Sequence, residues 1–161
     1  SSIRLSPTSR RRAQRRTERT TVIPDINYLA VIAATLSTMV VGSIWYTPKV
    51  FGNYWMKAAG IKPSGKASDA IGPIIVTVIV SFITAWVLAG AVAISQHFYG
   101  GSFLVNALVT AAFLWAGFTA ARFITHDAFD RRPRGLTVLN VLHELVTVLI
   151  MAIIIGVWPP A

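Results

Sequence analysis

Four long stretches with almost no charged side chains limit most strongly how this sequence can fold. They run roughly from Ile26 to Tyr46, Ile71 to Ser95, Phe103 to Thr125 and Leu136 to Val157. About 20 residues of α-helix cross the hydrocarbon core of a bilayer, and a helix satisfies its own backbone hydrogen bonds there. We therefore predict an all-α, polytopic membrane protein with four transmembrane helices.

The composition supports lipid as the solvent. Only 13% of the 161 residues are charged and 54% are hydrophobic, whereas a soluble domain has about 25% charged residues. The chain has no cysteine, which excludes disulfide frameworks, thiolate zinc sites and cysteine nucleophiles.

Most of the net positive charge lies at the start of the sequence. The net charge is +9, and residues 1–20 hold seven arginines and one glutamate. We predict that residues 1–24 form a disordered Arg-rich tail, separate from a transmembrane domain at 25–161. The tail could bind anionic lipid, act as a transit peptide, bind nucleic acid or be an extension not native to the domain. We favour anionic lipid or the extension, and expect no nucleic-acid partner.

The connection between the first two segments has a helical pattern of its own. Residues 50, 51, 54, 55, 58 and 61 are apolar and share one helical face, which predicts a short helix lying in the membrane plane. Trp and Tyr favour the headgroup region, with Tyr28, Tyr99 and Trp158 at the opposite interface. The predicted interfacial anchor comprises Trp45, Tyr46, Phe51, Tyr54 and Trp55.

The other connections carry capping and polar residues. Ser68 or Asp69 is predicted to cap the second helix, and Ser102 the third. Residues 97–101 are predicted to be a turn and residues 126–135 a polar loop. The loop's His126, Asp127 and Asp130 could bind a cation, but we favour a solvated turn beside three arginines, Arg131, Arg132 and Arg134.

The charge pattern leaves the orientation open. The connections after the first and third helices carry seven Lys and Arg, which equals the seven arginines of the tail, so the positive-inside rule is tied. We lean towards cytoplasmic loops.

Small residues at four-residue spacing predict tight helix packing. Helices in a bilayer associate through close contact, which small side chains permit. Three such stripes predict a tightly packed bundle or a dimer. They are Ala30, Ala34, Thr38 and Gly42; Thr77, Ser81, Ala85, Ala89 and Ala93; and Ala112, Ala116 and Ala120.

The fourth segment carries the most informative polar residues. Thr137, Asn140, Glu144 and Thr147 share one face, and His143 borders it. An ionised Glu at helix centre costs about 2.5–3.5 kcal/mol, so Glu144 should face the bundle and pair or take up a proton. Two interpretations stay open: a proton- or cation-handling pocket, or a satisfied interhelical hydrogen-bond cluster, which we favour. The candidate intramembrane site is Asn140, His143, Glu144 and Thr147.

Several kinds of chemistry lack their motifs. The run from His143 to Thr147 has no second His of an HExxH motif, and one His cannot hold a catalytic zinc. We find no nucleophile triad, phosphate loop or dinucleotide fingerprint. We expect no metal, no cofactor and no catalytic residue.

A string of aromatic residues carries a family resemblance. Residues 45–55 read W-Y-x-P-x-x-F-G-x-x-W. This resembles the signature after the first helix of a bacterial membrane-protein family known only as a domain of unknown function. The run from Asn27 to Ala30, and Asn140 followed by His143, are similar to that family. The resemblance covers about residues 25–158 and implies a four-helix protein of the bacterial inner membrane, without a mechanism.

Two functions follow as hypotheses. The first is a non-enzymatic helix-packing or partner-binding subunit, whose partners are the bilayer and a second copy or another membrane protein. The alternative is a small proton- or cation-linked transporter or channel component that uses the polar cluster of the fourth helix. A lipid-modifying enzyme at the interfacial segment has least support.

Overall fold

Helices account for about four fifths of the part of the chain that the structure describes. The computed structural model describes residues 24–62 and 66–161, so the predicted tail and residues 63–65 lie outside the described residues. The helices are α1 (Tyr28–Trp45), α2 (Gly52–Ala59), α3 (Ile71–Tyr99), α4 (Phe103–Phe129) and α5 (Arg134–Val157).

Four of these helices are long and apolar enough to cross a membrane: α1, α3, α4 and α5. The protein is a multi-pass membrane protein, and the predicted fold class is confirmed. The short helix α2 lies between the first two spanning helices, as predicted. The bundle has two ends, which we call the turn side and the loop side. The turn side contains residues 24–27, 100–102 and 158–161, and the loop side contains the described residues between α1 and α3 together with residues 130–133.

Side chains cap two of the spanning helices. The Asn27 side chain accepts hydrogen bonds from the Leu29 and Ala30 amides at 3.1 and 3.2 Å. Ser102 caps α4 as predicted. The prediction that Ser68 or Asp69 caps α3 is wrong, because both lie in a 3₁₀ turn (Ala67–Ala70) that runs into α3. The turn satisfies the first α3 amides with its own carbonyls, so no side-chain cap is needed.

Two helices extend further than the sequence indicates. Helix α3 continues to Tyr99, and α4 continues to Phe129 through His126 and Asp127. The predicted polar loop at 126–135 therefore shrinks to residues 130–133. The extension is stable because Asp127 is buried on the face of α4 that meets α5, where Thr137 donates a hydrogen bond to it.

The four spanning helices form a ring in the order α1, α3, α4, α5. Helix α5 packs closely on α1 and α4, and α3 packs on the same two neighbours from the opposite corner. The core is concentrated towards the turn side and consists mainly of small side chains. Its fully buried residues include Val31, Ala34, Ala85, Val92, Ala107 and Ala152.

The packing stripe of α1 lies where the sequence predicts, and that of α3 does so from Ser81 onwards, whereas Thr77 is exposed. The stripe of α4 does not lie where the sequence predicts. Ala112 and Ala116 are exposed, and Ala107 and Ala111 are buried instead, whereas Ala120 is buried as predicted. The cause is a π-helical turn at Trp115–Ala120. A π turn contains one residue more than an α turn. Residues spaced by four on its two sides therefore do not share one face, and counting back from Ala120 in steps of four predicts the wrong residues.

The loop-side half of α3 stands away from the bundle. Every residue from 71 to 80 is exposed, and Ser81 is the first buried residue of the helix. The seams on both sides of this half are therefore open, one towards α1 and α5 and the other towards α4.

Gly156 tests the close packing at the turn side. A Cβ at this position would lie 2.8 Å from Leu104 Cδ1 and 2.9 Å from the Leu104 Cα. Because a backbone atom cannot move aside cheaply, we expect Gly156→Ala to lower the free energy of unfolding by about 1–3 kcal/mol. The measurement is the unfolding temperature of the purified protein in detergent.

Gly117→Ala is the matched control. A Cβ at Gly117 would meet no atom within 4 Å, and Ala has the higher helix propensity by up to about 1 kcal/mol. We expect this variant to be at least as stable as the parent. Equal losses of stability at both positions would contradict the packing described here.

Candidate functional site

A cleft between α1, α3 and α5 opens towards the loop side. Its volume is about 880 Å³, within the range of small-molecule pockets. It exists because the loop-side half of α3 stands away from its neighbours. The polar residues that line this polar cleft are Thr38, Ser43, Tyr46, Thr77, Ser81, Thr84, His143, Glu144 and Thr147.

The inner end of the polar cleft is closed by a hydrogen bond. The hydroxyl oxygens of Thr38 on α1 and Ser81 on α3 lie 3.0 Å apart, and both side chains are buried. Beyond this pair, towards the turn side, Ala34 and Ala85 belong to the fully buried core. The polar cleft is therefore closed towards the turn side.

His143 and Glu144 are partners on α5. The His143 Nδ1 lies 3.4 Å from a Glu144 carboxylate oxygen, and the two side chains are 14% and 36% exposed. The His143 Nε2 faces Gly42, where a Cβ would lie 3.9 Å from it.

Three buried side-chain polar atoms lack a hydrogen-bond partner within residues 24–62 and 66–161, and all belong to this region. They are Trp45 Nε1, His143 Nε2 and Thr147 Oγ1, and Thr147 is only 7% exposed. Each such atom costs about 1–3 kcal/mol. The satisfied hydrogen-bond cluster that we favoured from the sequence is therefore wrong for His143 and Thr147.

Two members of the predicted polar face lie outside the polar cleft. Asn140 accepts a hydrogen bond from the Tyr46 hydroxyl at 3.4 Å, which ties the end of α1 to α5. Thr137 donates to an Asp127 carboxylate oxygen at 2.6 Å, which ties α5 to α4. Sequence spacing correctly groups these residues on one face of α5, but their partners come from different helices.

The predicted anchor residues also surround the site. The Tyr46 and Trp45 rings lie 4.9 and 5.7 Å from the His143 ring. Trp55 packs on Tyr46 at 5.2 Å and Phe51 packs on Trp45 at 4.8 Å. The sequence places these aromatic residues at the interface, but it carries no signal that they cover His143.

Two glycines permit the close contacts of helix α2. A Cβ at Gly52 would overlap the Tyr46 carbonyl in the connection from α1, and one at Gly135, at the start of α5, would overlap the Tyr54 hydroxyl of α2. These close contacts fix α2, with Trp55 on it, across the loop-side end of α5.

Glu144 lies near the middle of α5, as the sequence predicts, because this helix runs from Arg134 to Val157. The Tyr46 hydroxyl, just past the end of α1, contacts Asn140, and Glu144 follows four residues later, about 6 Å along α5. Its side chain is 36% exposed and lines the polar cleft, which lowers the cost of a charge at this depth.

The acidic residues near the α4–α5 connection form a separate cluster. Arg132 Nε lies 3.6 Å from an Asp130 oxygen and 4.0 Å from an Asp127 oxygen. Asp130 is exposed as predicted, but the solvated-turn interpretation is wrong for buried Asp127. In the described part of the chain, no three His, Asp or Glu residues come together as metal ligands do.

Comparison with known proteins identifies the family. Residues 29–156 match DUF1761, whose description is "protein of unknown function". The chain belongs to the DUF1761 family. This confirms the predicted membership of a four-helix family of unknown function. No curated protein and no solved structure gives a significant match, so the function of this DUF1761 member has to be argued from its own residues.

The contact between Thr137 and Asp127 is testable by substitution. Thr137→Val removes the donor to a buried carboxylate, so we expect a loss of about 1–3 kcal/mol in stability. Thr125→Val is the control, because the exposed Thr125 hydroxyl only donates to the Ala121 carbonyl of its own helix. Thermal unfolding in detergent measures both, and a neutral Thr137→Val would show that this hydrogen bond does not hold α4 to α5.

Proposed function

We propose that the protein is a small proton- or cation-linked transporter or channel component of the bacterial inner membrane. The observation that supports this most is the polar cleft, where a His–Glu pair adjoins buried polar atoms without partners. A bundle that acted only through packing would gain stability by filling this space with apolar side chains. The cost retained at His143 and Thr147 favours a site that receives a ligand or a proton.

The polar cleft is open towards the loop side and closed towards the turn side, which fits one state of a transport cycle. The loop-side half of α3 makes few contacts with α5, so movement of α3 towards α1 and α5 would cover the site. Opening towards the turn side would require Thr38 and Ser81 to part, together with the small-residue contacts beyond them. We place the loop side in the cytoplasm, because the seven Lys and Arg of its loops decide the orientation once the tail is set aside as an extension not native to the domain.

The titrating groups of this proposal are Glu144 and His143. Their side chains are in contact, so a proton taken up by one can pass to the other. Both side chains line the polar cleft, but Glu144 is the more exposed of the two, and His143 packs against Tyr46 and Trp45. Glu144 is accordingly the residue that would meet the transported ion or solute.

Proton flux tests the proposal directly. In proteoliposomes that contain a pH-sensitive dye, we expect the protein to carry protons down an imposed membrane potential. Glu144→Gln keeps the shape of the side chain but cannot ionise, so we expect flux to fall at least about tenfold, as for loss of a group that transfers protons directly.

Asp69→Asn provides the matched control. Asp69 is an exposed carboxylate in the turn before α3 and does not line the polar cleft. Its flux should equal that of the parent. Flux in Glu144→Gln equal to the parent, or no flux above empty liposomes in the parent, would refute the proposal.

One specific observation supports the helix-packing hypothesis. Ala112 and Ala116 form a small-residue stripe on α4 that faces away from the described part of the bundle, with Gly117 beside it. Such a stripe lets another helix approach closely. It favours self-association, or association with another membrane protein, as a second candidate function.

Crosslinking through introduced cysteines tests this second candidate. The chain has no native cysteine, so Ala116→Cys would report only contacts of α4. We expect an oxidant to convert this variant to a disulfide-linked dimer in membranes. Leu36→Cys on the exposed face of α1 is the control and should stay monomeric. Equal crosslinking of the two variants would indicate random collision instead of a dimer interface.

A further inference from the structure

We infer that the polar cleft binds an organic cation, namely an ammonium group with N–H donors attached to an apolar body. This inference rests on the proposed function and names the class of solute. It follows from three properties of the lining residues: their charge, the direction of their hydrogen bonds and the shape of the apolar wall.

The charge of the polar cleft is that of one carboxylate. Glu144 is its only acidic residue, and no Lys or Arg is present among the described residues that line it. His143 Nδ1 lies 3.4 Å from a Glu144 carboxylate oxygen, so the imidazole helps to position this carboxylate in the polar cleft. An anionic ligand would find no counter-charge here, whereas a cation would pair with Glu144.

The hydrogen bonds of the lining residues leave acceptors facing the polar cleft. Ser43, Thr77 and Thr84 donate their hydroxyl hydrogens to carbonyls of their own helices, at 2.9, 2.8 and 3.0 Å. The Tyr46 hydroxyl donates to Asn140. A hydroxyl has one hydrogen, so these oxygens can only accept from a ligand. An ammonium supplies the donors that such a surface requires.

The Thr147 hydroxyl does not alter this conclusion. Thr147 Oγ1 is buried at the wall of the polar cleft without a partner, one helical turn beyond His143. A hydroxyl serves as donor or acceptor according to its neighbour. It therefore fits an ammonium as well as it fits any other polar group.

The apolar wall indicates that the cation has an apolar body. Opposite Glu144, α3 contributes aliphatic side chains, and the inner part of α5 contributes more. These residues are Ile74, Val76, Val80, Val148 and Met151. A bare metal ion needs about six or more oxygen ligands in a compact shell, which one carboxylate and scattered hydroxyls do not provide. The volume of about 880 Å³ suits a molecule instead.

The same chemistry has two sources in a membrane. One is a free hydrophobic amine, and the other is the amine of a phosphatidylethanolamine headgroup, which lies at the depth of the loop-side interface. Both present a primary ammonium next to apolar groups, and the lipid composition of the assay separates them.

The experiment compares phenethylammonium with its neutral isostere phenethyl alcohol. The full chain is placed in nanodiscs of phosphatidylcholine and phosphatidylglycerol, and calorimetric titration at neutral pH gives the dissociation constants. We expect the ammonium to bind at least about tenfold more tightly than the alcohol, as for a charge-assisted hydrogen bond. Glu144→Gln should remove this difference while leaving weak binding of the alcohol.

Thr77→Trp is the second variant, because Thr77 lines the polar cleft from an exposed position on α3 and an indole there would fill it. It should abolish binding of both compounds without affecting Glu144. Each variant is first shown to unfold at the temperature of the parent. A repeat with phosphatidylethanolamine in the nanodiscs identifies the source: weaker apparent ammonium binding indicates the headgroup as occupant, and unchanged binding indicates a free amine.

The outcomes separate this inference from the proposed function. Equal affinity for the ammonium and the alcohol, with both lost in Thr77→Trp, would overturn the cation and retain a ligand-binding cleft. No binding of either compound would also overturn the inference, although proton flux dependent on Glu144 would still support the transporter. Specific ammonium binding without any flux would support the inference that the ligand is an organic cation and would refute the proposed transport.

Discussion

The close approach of the helices over their turn-side halves is the contact on which the rest of the structure depends. Ala34, Ala85 and Ala152 are fully buried in the core, and Gly156 leaves no room for a Cβ against α4. In lipid there is no gain from excluding water between helices, so this contact area and the interhelical hydrogen bonds supply the stability. Once the bundle is held at this end, the loop-side half of α3 can diverge and leave the polar cleft open.

The loop-side half is held by a different set of interactions. The Tyr46–Asn140 and Thr137–Asp127 hydrogen bonds join α5 to α1 and α4, and α2 packs across the end of α5. Within the described residues, helix α3 has no comparable tie before Ser81. The bundle thus combines a closed end with an end where one helix is loosely attached. That asymmetry supports a function in which α3 moves and His143 and Glu144 meet a ligand.

Several features of the candidate site could be predicted from the sequence, and others could not. The residues His143, Glu144 and Thr147 stand out because polar side chains are rare in such an apolar helix. Their partners could not be predicted, since Tyr46 and Trp45 come from a helix about 100 residues earlier and Asn140 lies on the same face of α5 without reaching the polar cleft. The orphaned state of His143 Nε2 and Thr147 Oγ1 is likewise a property of helix packing, which periodicity does not contain.

The sequence by itself determined the number of spanning helices, the short helix between the first two, the Ser102 cap and the family. These follow from local properties: segment length, hydropathy, aromatic placement and capping chemistry. The tertiary structure decided which face of α4 packs, because the π turn at Trp115–Ala120 shifts that face by one residue. It also decided that Asp127 is buried and that α3 leaves a cleft beside Glu144. Both depend on contacts between different helices, where the energy of packing and pairing is set by the partner and not by the residue alone.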